Sequence, residues 1–123
     1  MAYHVIDPDD IEPMNDRPVE ARSISDALAL ENMGLRVYRA EPGQQLPLAY
    51  HYHEHQEEAF YVIDGTLYVE TPEGEYQVEA GEVFVAEPTN PHRAHNPEDA
   101  DGTVVVLAAG APAVSDAEAY SEE

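Results

Sequence analysis

From Leu35 onward the sequence alternates apolar and polar residues, and turn residues interrupt the alternation every few positions. A period of two places successive side chains on opposite faces of an extended strand. Leu35–Arg39, Ala49–His53, Glu58–Ile63, Thr66–Glu70, Tyr76–Val78 and Glu82–Ala86 read as strands, and another is expected around His92–Asn96. Thr103–Ala108 reads as the last strand and, being nearly all apolar, is expected to be buried on both faces. The intervening Glu41–Gly43, Asp64-Gly65, Thr71–Gly74, Ala80-Gly81 and Pro97–Gly102 carry the Gly, Pro and Asp residues that suit chain reversal. Evenly spaced short strands without a long helical period predict an all-β sandwich or barrel.

The flanks differ. Residues 1–34 read as an N-terminal arm and edge segment, 35–110 as the barrel and 111–123 as an acidic tail, within one domain. Ser23–Gly34 is the best helix candidate, with Gly34 expected to end it. Ser115–Glu118 has a capping-box pattern, so the tail is expected either to start a short helix or to fray. With 123 residues, the chain can bury roughly two-thirds of its unfolded surface.

Charge excludes several partners. Acidic residues number 26 against five arginines and no lysine, for a formal net charge of −21. Such a chain repels phosphate backbones and anionic membrane surfaces. No apolar run approaches the roughly 18 residues of a membrane span. Met1–Asp10 lacks the basic and apolar regions of a secretory leader. There is no cysteine, hence no disulfide and no thiolate ligand. With 43% hydrophobic residues the acidity signals a folded domain rather than a disordered one. Carboxylate self-repulsion is screened at about 1 M salt, where the Debye length is roughly 3 Å. The expectation is a protein of a halophile's cytoplasm.

Five of the six histidines lie between positions 51 and 95. In His51-Tyr52-His53 the two imidazoles share one strand face, about 6.6–7 Å apart along the backbone. They can converge on one ion at about 2.0–2.2 Å. Glu57 and Glu58 are the nearby carboxylates. If Phe60 and Val62 face the core, so does Glu58, while Glu57 points out with Ala59 and Tyr61. An inward carboxylate is costly unless paired or metal-bound. A polar strand edge that collects metal adventitiously is the competing explanation of this tract.

Gly43–Gly65 (GQQLPLAYHYHEHQEEAFYVIDG) resembles the first motif of the cupin superfamily: a glycine, a His-x-His pair, a following Glu and a closing Gly. The spacer from Gly43 to His51 is longer than is usual. Gly81–Asn96 (GEVFVAEPTNPHRAHN) resembles the second motif, matching loosely at Gly81 and Pro88 and well at His92 and Asn96. The resemblance implies a double-stranded β-helix, a jelly-roll-like barrel. It also implies one divalent metal held by His51, His53, Glu58 and His92. His55 and His95 fall outside the pattern. Three imidazoles and a carboxylate suit Zn, Mn, Fe, Ni or Cu.

The resemblance allows a small-molecule dioxygenase, isomerase or decarboxylase, or a non-catalytic binder of a sugar-like ligand; a metal-free barrel is the third reading. Tyr50, Tyr52, Phe60, Tyr61 and Tyr68 are candidates for a pocket wall, and Arg39 or Arg93 for binding a carboxylate, although strand packing and surface ion pairs compete. The resemblance suggests a homodimer, with the N-terminal arm and Leu35–Arg39 as contributors.

Overall fold

The computed structural model describes residues 3–113 and 116–120. A short 3-10 turn at Pro8–Asp10, capped by the Asp7 side chain, precedes the strands. They are β1 (Glu20–Ser23), β2 (Gly34–Ala40), β3 (His51–His53), β4 (Glu57–Asp64), β5 (Thr66–Thr71), β6 (Gly74–Glu79), β7 (Val83–Ala86), β8 (Arg93–His95), β9 (Val104–Ala111) and β10 (Ala117–Ala119), with one helix, α1 (Ile24–Leu28). The expected strands are all present, and the fold is the all-β double-stranded β-helix.

One sheet runs β1-β2-β9-β4-β7, a second β6-β5-β8, and β10 pairs with β3. All pairings are antiparallel. Period two explains how the sheets close on each other. Phe60 and Val62 of β4, Val104 and Val106 of β9, Leu67 and Val69 of β5 and Tyr38 of β2 turn inward into one core with Leu46. Full burial of such a side chain stabilises by about 1.5–3 kcal/mol. On β9 only one face is fully buried: Val104 and Val106 are, while Val105 and Leu107 are partly covered.

Two turns are fixed by particular residues. Gly65 closes the β4–β5 hairpin at φ 82°, and a Cβ there would lie 2.7 Å from the Thr103 carbonyl oxygen. The Asn96 side chain, 2% exposed, donates to Ala40 O at 2.9 Å and Gly102 O at 2.8 Å, tying the end of β8 to β2 and the β9 approach.

The flanks depart from expectation. The helix spans Ile24–Leu28 and not Ser23–Gly34. Ser23 caps it by accepting from Asp26 N, and Ala29 ends it at φ 55°. Gly34 instead opens β2. The arm also joins the barrel: β1 covers the edge of β2, and Val19 and Ala21 lie in the core. The tail is neither helical nor frayed over its described part. Ala117–Ala119 forms a strand on His51–His53, with Tyr120 N donating to Tyr50 O at 3.0 Å. A free edge of β3 was available to it, and backbone pairing with that edge satisfies both segments. Ser115, the expected cap, lies outside the described residues.

Candidate metal centre

The site is built from three places in the chain. β3 and the start of β8 are bridged at His51 and His92, whose backbones exchange hydrogen bonds of 3.3 and 2.9 Å. That pairing sets both imidazoles on one face. His53 follows His51 by two residues and shares the face. Glu58 enters from β4, opposite Gly110 of β9 and Ala86 of β7. Its inward direction follows the period of Phe60 and Val62, as the parity of β4 requires, and Glu57 is exposed.

All three imidazoles meet one oxygen. Glu58 Oε1 lies 2.7 Å from His92 Nε2, 3.0 Å from His53 Nε2 and 3.4 Å from His51 Nε2. One donor atom each from His51, Glu58 and His92 lies within 4.8 Å of the others. His53 reaches the same oxygen from outside that close set, with its ring centroid 6.5 Å from that of His92. His55 is exposed, and His95 pairs with Glu75 at 2.9 Å, away from the cluster.

The other ring nitrogens fix the tautomers. His51 Nδ1 is 3.0 Å from Ala49 O, His92 Nδ1 is 2.9 Å from Asn90 O, and His53 Nδ1 is 2.8 Å from Asp116 Oδ1. Carbonyls and carboxylates only accept, so each Nδ1 carries a hydrogen. Each neutral ring then presents a bare Nε2 lone pair to a carboxylate oxygen that also has no proton to give. The His53 Nε2 is buried and makes no hydrogen bond, although it lies 3.0 Å from Glu58 Oε1. Only a positive charge among these atoms relieves the repulsion, either added protons or a metal ion. The donor set therefore fits a divalent metal.

Burial pushes the Glu58 carboxyl up, but the imidazoles of His51, His53 and His92 outweigh this and hold it far below the usual carboxylate range. Glu58 in turn raises His53, against burial and with help from Asp116. Burial also pushes Asp116 up. The His55 backbone N–H, the His53 ring and the Gln56 backbone N–H outweigh that and hold it low.

Asp116 is the functional residue that sequence reasoning missed. Besides His53 it accepts from His55 N at 2.7 Å and Gln56 N at 3.1 Å, so it holds the whole β3–β4 turn. Nothing in a tail 63 residues from His53 announces this contact.

A cavity of about 480 Å³ opens beside the donors. Of the expected aromatic wall only Phe60 lines it, joined by Tyr38. Tyr61 points outward at 42% exposure, Tyr68 packs on His95 and Tyr50 on Tyr120. Arg39 and Arg93 do not line it. Arg39 is paired with Asp9 and Glu20, and Arg93 with Glu70.

Comparison with known proteins identifies the architecture. No curated protein matches the sequence. Among solved structures, a candidate sugar phosphate isomerase of Acidithiobacillus ferrooxidans is 29% identical, with a TM-score of 0.68 over 76% of this chain and 58% of that one. The chain thus spans less than two-thirds of that protein's length. A sugar phosphate isomerase from Silicibacter pomeroyi is 26% identical, with a TM-score of 0.75 over 88% of this chain and 75% of that one. The polyketide cyclase RemF of Streptomyces resistomycificus, at 18% identity, shares the fold with a TM-score of 0.78 over 98% of this chain and 88% of that one. The Cupin domain model matches residues 36–108, more than half of the 123, and the chain belongs to that family.

Proposed function

We propose that the protein binds one divalent transition metal (Zn, Mn, Fe, Ni or Cu) through His51, His53, Glu58 and His92, and that a small molecule occupies the adjoining cavity. The three imidazoles of fixed tautomer around one carboxylate oxygen carry this proposal. Bound there, the metal would supply Lewis acidity toward an oxygen of that molecule. The chain's own part is to orient the molecule in the cavity and to restrict water. The names of the two sugar phosphate isomerases favour an isomerase. The alternative is a non-catalytic binder of a sugar-like ligand. It is favoured by the lining, whose polar groups outside the four donors, Arg17, Arg36, Tyr38, Gln56 and the exposed Glu118, can hydrogen-bond hydroxyls but include no second acid–base pair. Elemental analysis after stringent dialysis tests the metal, and less than about 0.2 equivalents with no gain on reconstitution removes both versions. Turnover of sugar phosphates by the loaded protein separates them.

Asp116 gives a sharper test. Replacing it with alanine frees the His53 ring and its tautomer, and loss of such a partner costs about 10–100-fold in metal affinity. Asp116→Ala should weaken metal binding by that factor in a competition titration, and Asp116→Glu should recover part of it. Equal affinities would show that the tail strand does not support the site.

No described helix is long and apolar enough to cross a membrane. A halophile's cytoplasm remains our proposed setting, supported by the charge of −21. A homodimer is proposed too, with the arm and Leu35–Arg39 as contributors: β1 covers one edge of β2 and itself forms the outer edge of that sheet. Tyr61, Ile63, Val83 and Val85 on β4 and β7 are 42–59% exposed and offer a further apolar face. Salt screens the mutual repulsion of two such chains. Sedimentation should therefore show more dimer at 2 M than at 0.1 M KCl, alongside a higher denaturation midpoint. Monomer at both salts ends the dimer proposal, and an unchanged midpoint ends the halophile setting.

A further inference from the structure

Five arginines face 26 acidic side chains in this chain, so an arginine left without a carboxylate is unexpected. Three follow expectation. Arg22 pairs with Glu20 at 3.1 Å, Arg39 with Asp9 at 2.9 Å and Glu20 at 3.1 Å, and Arg93 with Glu70 at 2.9 Å. Arg17 and Arg36 form no ion pair among the described residues, and both line the cavity beside the metal donors. The Arg17 Nε is buried and makes no hydrogen bond. Arg36 donates to the Tyr38 hydroxyl at 3.2 Å.

The register places Arg36 toward the cavity. Arg36, Ala108 and Phe60 are partners in one row across β2, β9 and β4, and Gly34, Gly110 and Glu58 in the next. Partners in an antiparallel sheet share a face. Arg36 therefore stands on the same inner face as Glu58, about 10 Å across the strands and about 7 Å along them. Between them come Gly34, Ala108 and Gly110, which carry little or no side chain; the Gln56 amide lies over Gly110, and all four line the cavity. Arg17 approaches from the arm that precedes β1.

We propose that Arg17 and Arg36 form an anion subsite, so that the cavity takes a small molecule with a carboxylate or phosphate at the arginine end and an oxygen function at the metal end. This rests on the metal proposal above and names its ligand class. A guanidinium binds either anion through paired N–H donors. In a partly enclosed cavity that attraction exceeds its value in water. The acidic lining groups are Glu58, at the metal end, and Glu118, which is exposed. An anion would otherwise be repelled by this protein, so two uncommitted arginines in one cavity make a selective point of entry.

The test is a titration of chelator-treated protein with inorganic phosphate, followed by ³¹P NMR, with acetate in parallel as the carboxylate probe. Phosphate should bind with Kd on the order of 1 mM. Arg36→Gln and Arg17→Gln should each weaken it by about tenfold, the loss expected for a charged hydrogen bond. Arg36→Lys should retain part of the binding, and Arg39→Gln, outside the cavity, should leave it unchanged. The tighter of phosphate and acetate names the headgroup. Absence of binding by both anions overturns the subsite, as does equal binding by all variants. If one glutamine variant fails to fold, the other and the lysine variant decide. Metal uptake is measured separately by elemental analysis. Its failure with arginine-dependent phosphate binding removes the metal alone, and its success with arginine-independent binding removes the subsite alone.

Discussion

Glu58→Gln should abolish stoichiometric metal uptake, while Glu57→Gln one position earlier should leave it intact. The two substitutions remove the same charge from adjacent residues and differ only in which way β4 turns the side chain. Glu58 supplies the oxygen that all three imidazoles meet, whereas Glu57 is exposed. Loss of the anionic ligand leaves three neutral nitrogens. The expected drop in affinity is about 100-fold or more, at or beyond the upper end for loss of a mere supporting contact. Competition with a chelator of known affinity gives the number. The fold should survive, because an amide can still accept at the same position, and far-UV circular dichroism would check this. Comparable metal affinity in both variants would refute the assignment of Glu58.

Metal loading should raise the melting temperature by about 12–20 °C at neutral pH, and this gain should shrink in acid. An ion at about 1,000 times its Kd stabilises by about 4 kcal/mol. A domain of this size melts several degrees higher per kcal/mol. Without metal the pH dependence has two limbs. Glu58 is held low in the folded state, so its contribution is present above the ordinary carboxylate range and lost as pH falls below it. His53 is held high, so its contribution is full below about 6.5 and lost as pH rises through its folded value. Metal-free stability should therefore peak near pH 5–6. The metal competes with protons for the same Nε2 atoms, so its contribution is full above about pH 7 and fades below about 6. Thermal scans at several pH values, with metal and with chelator, should give curves that converge in acid and separate above neutrality. A gap independent of pH would mean that the ion binds elsewhere.

Much of this site was legible because strands have a strict period. His51 and His53 could be put on one face and Glu58 chosen over Glu57 without coordinates. His92 was not accessible that way, since no local pattern says which strand will lie beside β3, and only the motif resemblance pointed to it. Arg36 had a local signal that went unused. It shares the face of Tyr38 on β2, and the small residues Ala108 and Gly110 recur at period two on β9 where a filled core would need bulk. Asp116 had no signal, because its partners lie 60 residues and more away and a tail of acids looks the same whether or not one of them points inward. The misplaced helix has a different cause. Gly34 carries the residue type of a helix stop, but Ala29 adopts the left-handed turn that ends α1 and leaves Gly34 to open β2.

The strand at Ala117–Ala119 also bears on the order of assembly. Its contact with His53 spans 63 residues, and the pair it forms with β3 is three residues long. A loop of that length closes at an entropic cost that a three-residue ladder barely offsets. The strap should thus close after the rest of the barrel has formed and open before the barrel does. Among the three histidines, only His53 takes its Nδ1 partner from that strap. The pairing of Ala117–Ala119 with β3 would then set the His53 ring last, after Glu58 and His92 are in place.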